Sequence, residues 1–179
     1  MAETYTLKIA GLERQLRRFP VNDKLDIAAF IMFGDVELTV KVAEELLKKV
    51  PDFDVILTPE AKSIPLAYEM ARQSGKPYIV ARKGSKVYMG NPLEVSVRSI
   101  TTDHVQQLFL GDTDVQNLKG KKVLLVDDVI STGESLEAVR KLVTEAQGIE
   151  AAACAALAEG DAAKRDDIIF LEPLPLFFK

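Results

Sequence analysis

The sequence predicts an α/β domain built around a mostly parallel sheet, and two observations carry this prediction. Short apolar runs alternate with amphipathic runs of helical length along most of the chain. No internal repeat or low-complexity linker interrupts this alternation. The length of 179 residues suits a single domain over residues 1–179 and is sufficient to bury a core.

Local patterns predict the first core elements. Residues 35–50 (DVELTVKVAEELLKKV) repeat apolar positions at helical spacing before Pro51. Residues 54–57 (DVIL) are typical of a buried strand. Residues 63–73 predict a helix with Ser63 as its cap, Pro65 in its first turn and Gly75 beyond its end.

The later elements follow the same logic. Strands are predicted over 77–81, 123–126, 151–158 and 168–171, and a helix over 134–147. Because residues 123–126 (VLLV) are all apolar, this strand is expected at the centre of the sheet.

Two segments stand apart from this pattern. Near the N-terminus, GLERQLRRF is interpreted as one basic helix. Residues 84–110 contain an alternating run, 93–98, and a second strand candidate, 105–110. A hairpin inserted in an α/β core predicts a lid.

Composition excludes several classes of protein. The single cysteine, Cys154, excludes an intrachain disulfide, and the single histidine, His104, excludes a His-rich metal site. The net charge of -4 argues against a nucleic-acid partner. No apolar run approaches the roughly 20 residues of a membrane span, and the N-terminus lacks a signal peptide. A cytoplasmic protein without membrane partners is therefore expected.

The strongest motif is VLLVDDVISTGES, residues 123–135. An apolar strand ends in two carboxylates, Asp127 and Asp128, and a turn of small residues then leads into a helix. The backbone N–H groups of such a turn can cradle a phosphate. The carboxylates suit sugar hydroxyls or Mg²⁺. A phosphate beside a diol describes a ribose 5-phosphate, whose candidate ligands after the acidic pair are Ser131, Thr132, Gly133, Glu134 and Ser135.

Other phosphate motifs are absent from the sequence. There is no G-x-G-x-x-G and no G-x-x-x-x-G-K-[ST], so a dinucleotide-binding fold and a P-loop are unsupported. VLLVDD also resembles the start of a receiver domain, but too few residues follow Asp128 to complete one.

VLLVDDVISTGES resembles the phosphoribosyl-pyrophosphate (PRPP) signature of the type I phosphoribosyltransferases, and the order of elements over about residues 35–178 fits that family. Adenine and xanthine phosphoribosyltransferases look closest in length and order. The PRPP-binding domain of the purine-operon repressor of Gram-positive bacteria also resembles residues 58–101. The resemblance implies a central parallel sheet flanked by helices, a flexible hairpin lid over about 84–110, and a small hood from about 1–34 and 157–179.

The resemblance also implies a pyrophosphate site. TPEAKSIPLA matches the E-A-R-G loop of the adenine enzymes, with Lys62 in place of arginine, as in the repressor group. The family implies an unusual peptide conformation in this loop, often cis. ARKGSK resembles the R-K-x-G-K of the adenine enzymes. The implied pyrophosphate ligands are Ala61, Lys62, Ser63, Arg82, Lys83 and Lys86.

The implied reaction transfers ribose 5-phosphate from PRPP to a purine base in purine salvage, and adenine is the first candidate for that base. Mg²⁺ would be bound mainly through PRPP, with no metal site made by protein side chains alone, and the chain would form a homodimer. Asp127 and Asp128 would hold the ribose hydroxyls. Xanthine or another base, and a PRPP-binding regulator without turnover, remain alternatives.

The base side is the least defined part of the predicted site. The adenine enzymes carry a lid glutamate, and the matching stretch here, 98–102, lacks it. The general base is therefore open between Asp128 and Glu94. Phe30 or Phe33 in the hood either stacks on a purine or packs in the core, and residues 157–167 (LAEGDAAKRDD) form the other hood candidate.

Overall fold

The computed structural model describes residues 3–98 and 105–179. Two 3₁₀ turns, Val87–Met89 and Gly160–Lys164, accompany the strands and helices of these ranges. Those elements are β1 (Thr4–Ile9), β2 (Leu12–Asn22), β3 (Leu25–Ala28), α1 (Val36–Leu47), β4 (Val55–Pro59), α2 (Ile64–Ser74), β5 (Tyr78–Ala81), β6 (Leu93–Arg98), β7 (Val105–Leu110), α3 (Asp112–Leu118), β8 (Lys122–Ile130), α4 (Glu134–Glu145), β9 (Ile149–Glu159), β10 (Ile169–Leu174) and β11 (Phe177–Phe178).

The central sheet has the strand order β10-β9-β8-β4-β5, and every neighbouring pair is parallel. This confirms the predicted α/β class, and β8 occupies the middle, as its apolar sequence predicts. The strand continues past the apolar run through Asp127 and Asp128 to Ile130. Because the strands are parallel, their carboxyl ends meet at one edge, where ligands bind in such sheets.

Two apolar layers cover the faces of this sheet. Side chains of α1 and α2 pack on one face, together with Val126 and Cys154. Side chains of α4 pack on the other, together with Leu125 and Ala155. The alternation along β8 and β9 follows from the two-residue period of a strand. Cys154 is buried, as its apolar surroundings predict, and burial raises the pKa of its thiol.

The residues at the ends of α1 and α2 show which of the expected capping contacts form. Asp35 caps α1, because its Oδ1 accepts a hydrogen bond from the N–H of Leu38 at 3.1 Å. Gly75 ends α2 with φ +70°. Ser63 holds the predicted N-cap position of α2, but its side chain does not bond to the helix: its hydroxyl donates to the carbonyl of Pro59 at 3.0 Å and lies 2.7 Å from Oγ1 of the buried Thr58.

The N-terminal segment differs from the sequence interpretation. GLERQLRRF is strand β2 and not a basic helix. The positive φ angles of Ala10 and Gly11 form a tight turn that joins β1 and β2 as an antiparallel hairpin. The sheet β1-β2-β3-β11 follows, with β11 from the end of the chain paired to β3. The pairing of this segment with β1 decides for a strand, because Leu12 and Leu16, four residues apart, would share one face in a helix as well.

Strands β6 and β7 form the predicted antiparallel hairpin. Val95, Leu108 and Leu110 are buried in the layer that contains α4, so the root of the hairpin is part of the core. The backbones of Arg82 and Phe109 exchange hydrogen bonds of 2.9 and 2.8 Å, which join β7 to the chain leaving β5. The tip, residues 99–104, lies outside the described residues, and closure of the segment 84–110 stays a prediction.

Candidate active site

The acidic pair of β8 lies at the carboxyl edge of the sheet, between β4 and β9. Asp128 is buried, with 4 % of its side chain exposed, whereas Asp127 is partly exposed. Oδ1 of Asp127 accepts a hydrogen bond from the N–H of Asp128 at 2.8 Å. Nζ of Lys62 lies 3.0 Å from Oδ2 of Asp128. A cation from the loop after β4 therefore contacts a carboxylate of the neighbouring strand.

The two adjacent carboxyl groups strongly perturb one another. Burial, followed by the charge of Asp128, raises the pKa of Asp127 to about 8, and the charge of Lys62 acts in the opposite direction. Near neutral pH this carboxyl group therefore keeps a proton. A protonated carboxyl donates one hydrogen bond and accepts others, which suits the vicinal hydroxyls of a sugar.

The turn after β8 has the form predicted for a phosphate cradle. Gly133 has φ +85° and directly precedes α4, so its N–H and those of the first helical turn lie at the positive end of the helix dipole. A small cavity of about 40 Å³ is lined by Asp127 and the turn. Among the predicted ligands, it brings together Ser131, Thr132, Gly133 and Ser135. Glu134 is the first residue of α4.

The hairpin reaches this turn. Nε2 of Gln106 on β7 lies 3.0 Å from Oγ of Ser135, and Ser135 Oγ lies 3.2 Å from Oε1 of Gln106. Gln106 is a contact that no sequence motif indicates, because it depends on how the hairpin packs on α4. The hydroxyl of Ser135 is thus shared between the cradle and the hairpin.

The loop after β4 carries the predicted pyrophosphate residues. The Glu60–Ala61 peptide bond is cis, as the resemblance implies. Ala61 and Lys62 are exposed, and the buried Ser63 hydroxyl anchors the loop to β4. The hydroxyl of Thr58 also lies 2.8 Å from the carbonyl oxygen of Val126, which links the base of this loop to β8.

A second link joins this loop to the end of β5. Oε2 of Glu60 accepts a hydrogen bond from the N–H of Lys83 at 2.9 Å and lies 3.2 Å from Nε of Arg82. These contacts hold the pKa of Glu60 below its usual value. Arg82 also donates to the hydroxyl of Tyr88 at 3.0 Å, so its guanidinium is already oriented. Lys83 and Lys86 are exposed and form no ion pair within residues 3–98 and 105–179.

The remaining predicted residues lie apart from this edge or in the core. Phe30 is 4 % exposed and belongs to the apolar layer of α1 and α2, which favours its packing role. Phe33 is 54 % exposed. Glu94 is exposed on β6 and accepts a hydrogen bond from Gln107 at 2.8 Å. The stretch matched to the lid glutamate lies, over residues 99–102, outside the described residues.

One carboxylate at this edge was not singled out from the sequence. Glu159 ends β9, beside the strand of the acidic pair, and is partly buried. Burial raises its pKa, and the nearby charge of Lys62 acts in the opposite direction. The sequence feature that could have indicated Glu159 is its position at the end of a predicted strand, because ligands bind at the carboxyl ends of parallel strands.

Comparison with known proteins decides the family. The model of the phosphoribosyl transferase domain matches residues 35–173, which cover the central sheet except for Leu174, the last residue of β10. The chain belongs to the phosphoribosyl transferase domain family. The type I phosphoribosyltransferase resemblance and the expected enzyme class are confirmed at this level.

Relatives of the phosphoribosyltransferase family include more than one kind of protein. A hypoxanthine/guanine phosphoribosyltransferase of Methanothermobacter thermautotrophicus is 32 % identical over 142 residues, 75 % of this chain and 70 % of the relative. An adenine phosphoribosyltransferase of Thermotoga neapolitana is 34 % identical over 109 residues, 60 % of each chain. The purine biosynthesis transcriptional repressor PurR of Bacillus subtilis is 29 % identical over 94 residues, 52 % of this chain and 32 % of the repressor.

Solved phosphoribosyltransferase structures share the fold. Adenine phosphoribosyltransferase of Thermoanaerobacter pseudethanolicus superposes with a TM-score of 0.70 at 22 % identity, covering 88 % of this chain and 95 % of that one. The enzyme of Giardia lamblia complexed with 9-deazaadenine gives a TM-score of 0.64 at 19 % identity, covering 95 % and 93 %. Among the described residues, no helix is long and apolar enough to cross a membrane.

Proposed function

We propose that this protein is a purine phosphoribosyltransferase that transfers ribose 5-phosphate from PRPP to a purine base, with adenine as the first candidate. The observation that carries this proposal is the meeting of three groups at one sheet edge. These are the acidic pair of β8, the Gly133 turn before α4, and the Lys62 loop after β4, in contact through the Lys62–Asp128 ion pair.

The Gly133 turn would bind the 5-phosphate. Its N–H groups lie at the start of a 12-residue helix, where the dipole stabilises an anion. The hydroxyls of Ser131, Thr132 and Ser135 add donors of adjustable direction. Asp127 lines the same cavity as this turn, so the acidic pair would lie beside the phosphate and bind the ribose hydroxyls.

The Lys62 loop and the end of β5 would bind pyrophosphate. Lys62 pairs with Asp128, and its half-exposed side chain would reach a phosphate once ribose hydroxyls occupied the carboxylate. Lys83 and Lys86 add positive charge, while Glu60 holds Arg82 in place. Such preorganised cations stabilise the charge that develops on a leaving pyrophosphate.

A Mg²⁺ ion fits this site as a companion of PRPP. The described residues contain no cluster of three or more metal-ligating side chains, and the acidic pair offers two carboxyl groups. An ion held mainly by the oxygens of PRPP, with Asp128 as an added ligand, matches this set, because Asp127 keeps its proton near neutral pH. When bound, Mg²⁺ would neutralise part of the charge of the leaving group.

The base would lie on the hood side of the acidic pair. Glu159 is a carboxylate at this edge that could accept a hydrogen bond from an exocyclic amino group, which adenine and guanine carry and hypoxanthine lacks. Hypoxanthine or guanine is the competing choice, favoured by the relative from Methanothermobacter. Asp128 and Glu94 stay the candidates for the general base.

A homodimer is part of this proposal. Val36, Tyr68 and Tyr78 are exposed near one another at the start of α1 and along α2 and β5. Exposed apolar side chains of this kind favour association. Light scattering should give twice the mass of 19.7 kDa.

A second candidate is a PRPP-binding regulator without turnover. Lys62 in place of arginine, the absent lid glutamate and the similarity to PurR favour it. The binding half of the site would be the same in both cases.

The deciding experiment measures pyrophosphate release with PRPP, Mg²⁺ and a panel of adenine, hypoxanthine, guanine, xanthine and orotate, beside calorimetric binding of PRPP. We expect turnover with one purine and none with orotate. The double variant Asp127→Asn, Asp128→Asn should abolish PRPP binding. PRPP binding without turnover on any base would establish the regulator instead, and absence of PRPP binding would overturn both candidates.

A further inference from the structure

A guanidinium group from a distant segment contacts the phosphate turn. Arg165 follows the 3₁₀ turn after β9, yet its Nη1 lies so close to Gly133 that an added Cβ there would collide with it. Gly133 is therefore constrained twice, by its φ of +85° and by this contact. The PRPP motif at residues 123–135 contains no hint of the second constraint.

The orientation of Arg165 is fixed by Asp167. Nε and Nη2 of Arg165 donate to the two carboxylate oxygens of Asp167 at 2.8 and 2.7 Å. This bidentate pair uses one edge of the guanidinium plane and leaves Nη1 on the side of Gly133. Within the described parts of the chain, Nη1 has no hydrogen-bond acceptor.

The Arg165–Asp167 pair is attached to α4, the helix whose N-terminus forms the proposed phosphate site. Asp167 also accepts a hydrogen bond from Arg140 of α4 at 2.8 Å, and Arg140 pairs with Glu137 at 2.9 Å in the first turn of that helix. These contacts fix the positions of residues 165 and 167 relative to α4. A cation held rigidly beside a helix N-terminus loses little side-chain entropy when an anion binds.

We propose that Arg165 is a phosphate-binding residue of this site, oriented by Asp167, and that its Nη1 donates to the 5-phosphate held by the Gly133 turn. This inference rests on the proposed function, because it takes ribose 5-phosphate as the ligand of the turn. It adds to the backbone cradle a fixed positive charge that comes from outside the motif. A loop of neutral donors would bind its phosphate less tightly than a loop with a permanent cation at its side.

The test compares ribose 5-phosphate with pyrophosphate in calorimetric titrations of the full chain. Loss of one charge-assisted hydrogen bond in Arg165→Met should weaken ribose 5-phosphate binding about 10- to 100-fold. Pyrophosphate affinity should stay within about twofold, since its site lies at the other end of the acidic pair. Arg165→Lys should recover part of the loss, because it restores charge without the fork.

Lys164→Met is the matched control. It removes one positive charge from the neighbouring position, where Lys164 is exposed and pairs with Asp161. We expect unchanged ribose 5-phosphate affinity for this variant. If Arg165→Met unfolds, Asp167→Asn keeps the arginine but releases it, and should weaken ribose 5-phosphate binding by about threefold to tenfold through lost orientation.

The outcomes separate the two proposals. Ribose 5-phosphate binding that is unchanged in folded Arg165→Met, or equally reduced in Lys164→Met, overturns the role of Arg165 and leaves the proposed function intact. If Arg165 has only a structural role, Arg165→Lys will not recover ribose 5-phosphate affinity. The salt dependence of that affinity will also be unchanged in Arg165→Met. Either result overturns the proposed role of Arg165. A wild-type protein that binds neither ribose 5-phosphate nor PRPP overturns the proposed function and this inference with it.

Discussion

Replacing Asp127 by asparagine should stabilise the fold while it damages the site. Burial and the adjacent Asp128 raise the pKa of Asp127 to about 8 from its ordinary value of 3.8. The folded chain therefore binds this proton between those pH values, and the unfolded chain does not. Since the folded state binds more protons, stability contributed by this group falls as pH rises from about 4 to about 8.

The size of the effect follows from the same shift. Each pKa unit corresponds to about 1.4 kcal/mol, so ionisation of the unfolded chain opposes folding by up to about 5 kcal/mol at pH 7.5. Asparagine has the shape of the protonated carboxyl group and can still accept the hydrogen bond from the N–H of Asp128. We expect Asp127→Asn to gain at least about 2 kcal/mol at pH 8.5 and less at pH 6.

Urea unfolding at both pH values measures this directly. Asp161→Asn is the control, because Asp161 is exposed and its lowered pKa depends on Lys164 alone among charged partners. It should not flatten the pH dependence between pH 6 and 8.5. A destabilised Asp127→Asn, or one that keeps the wild-type pH dependence, would refute the reasoning. Ribose 5-phosphate affinity of the stabilised variant should fall, as expected where a strained site trades stability for function.

Substitutions of three other side chains test the parts of the proposed site one at a time. Lys62→Met should weaken pyrophosphate binding about 10-fold or more in calorimetry, and Lys62→Arg should retain most of it; equal losses would contradict a role for charge. Gln106→Ala should change ribose 5-phosphate affinity by less than about fivefold but should lower hydrogen-exchange protection of β7; unchanged protection would exclude the link to Ser135. Glu159→Gln should reduce kcat/KM for the preferred base about 10-fold with PRPP affinity unchanged, and a loss of PRPP affinity instead would place Glu159 away from the base.

The sequence predicts well what is contiguous. The strand, acidic pair, turn and helix of residues 123–135 follow one another along the chain, so local patterns predict the geometry of the proposed phosphate site. The central position of β8 also follows from its four consecutive apolar residues. Three interpretations depended on neighbours and failed or fell short. GLERQLRRF is a strand because it pairs with β1, and β8 runs on to Ile130 because β9 pairs with it. Ser63 holds the predicted N-cap position of α2, but its hydroxyl bonds to Thr58 and Pro59 and not to the helix.

Contacts between distant segments could not be predicted. The ion pair of Lys62 with Asp128 requires β4 to lie beside β8, which the sequence does not specify. The contact of Arg165 with Gly133 requires a particular path of the chain after β9, and the segment 157–167 was expected to serve the base instead. Short helix α3 was not predicted either, because seven residues carry little periodicity.

Strand β7 has a consequence for how the two ends of a ligand communicate. Its Phe109 backbone is bonded to Arg82 at the pyrophosphate end, and its Gln106 contacts Ser135 at the phosphate end. Because one strand contacts both ends, any effect that a ligand at one end exerts through β7 on binding at the other must be reciprocal. PRPP, with a phosphate at one end and a pyrophosphate at the other, would engage both ends through one molecule, whereas ribose 5-phosphate and pyrophosphate would do so separately. Under the proposed function, the hairpin would therefore respond differently to the whole substrate and to its two pieces.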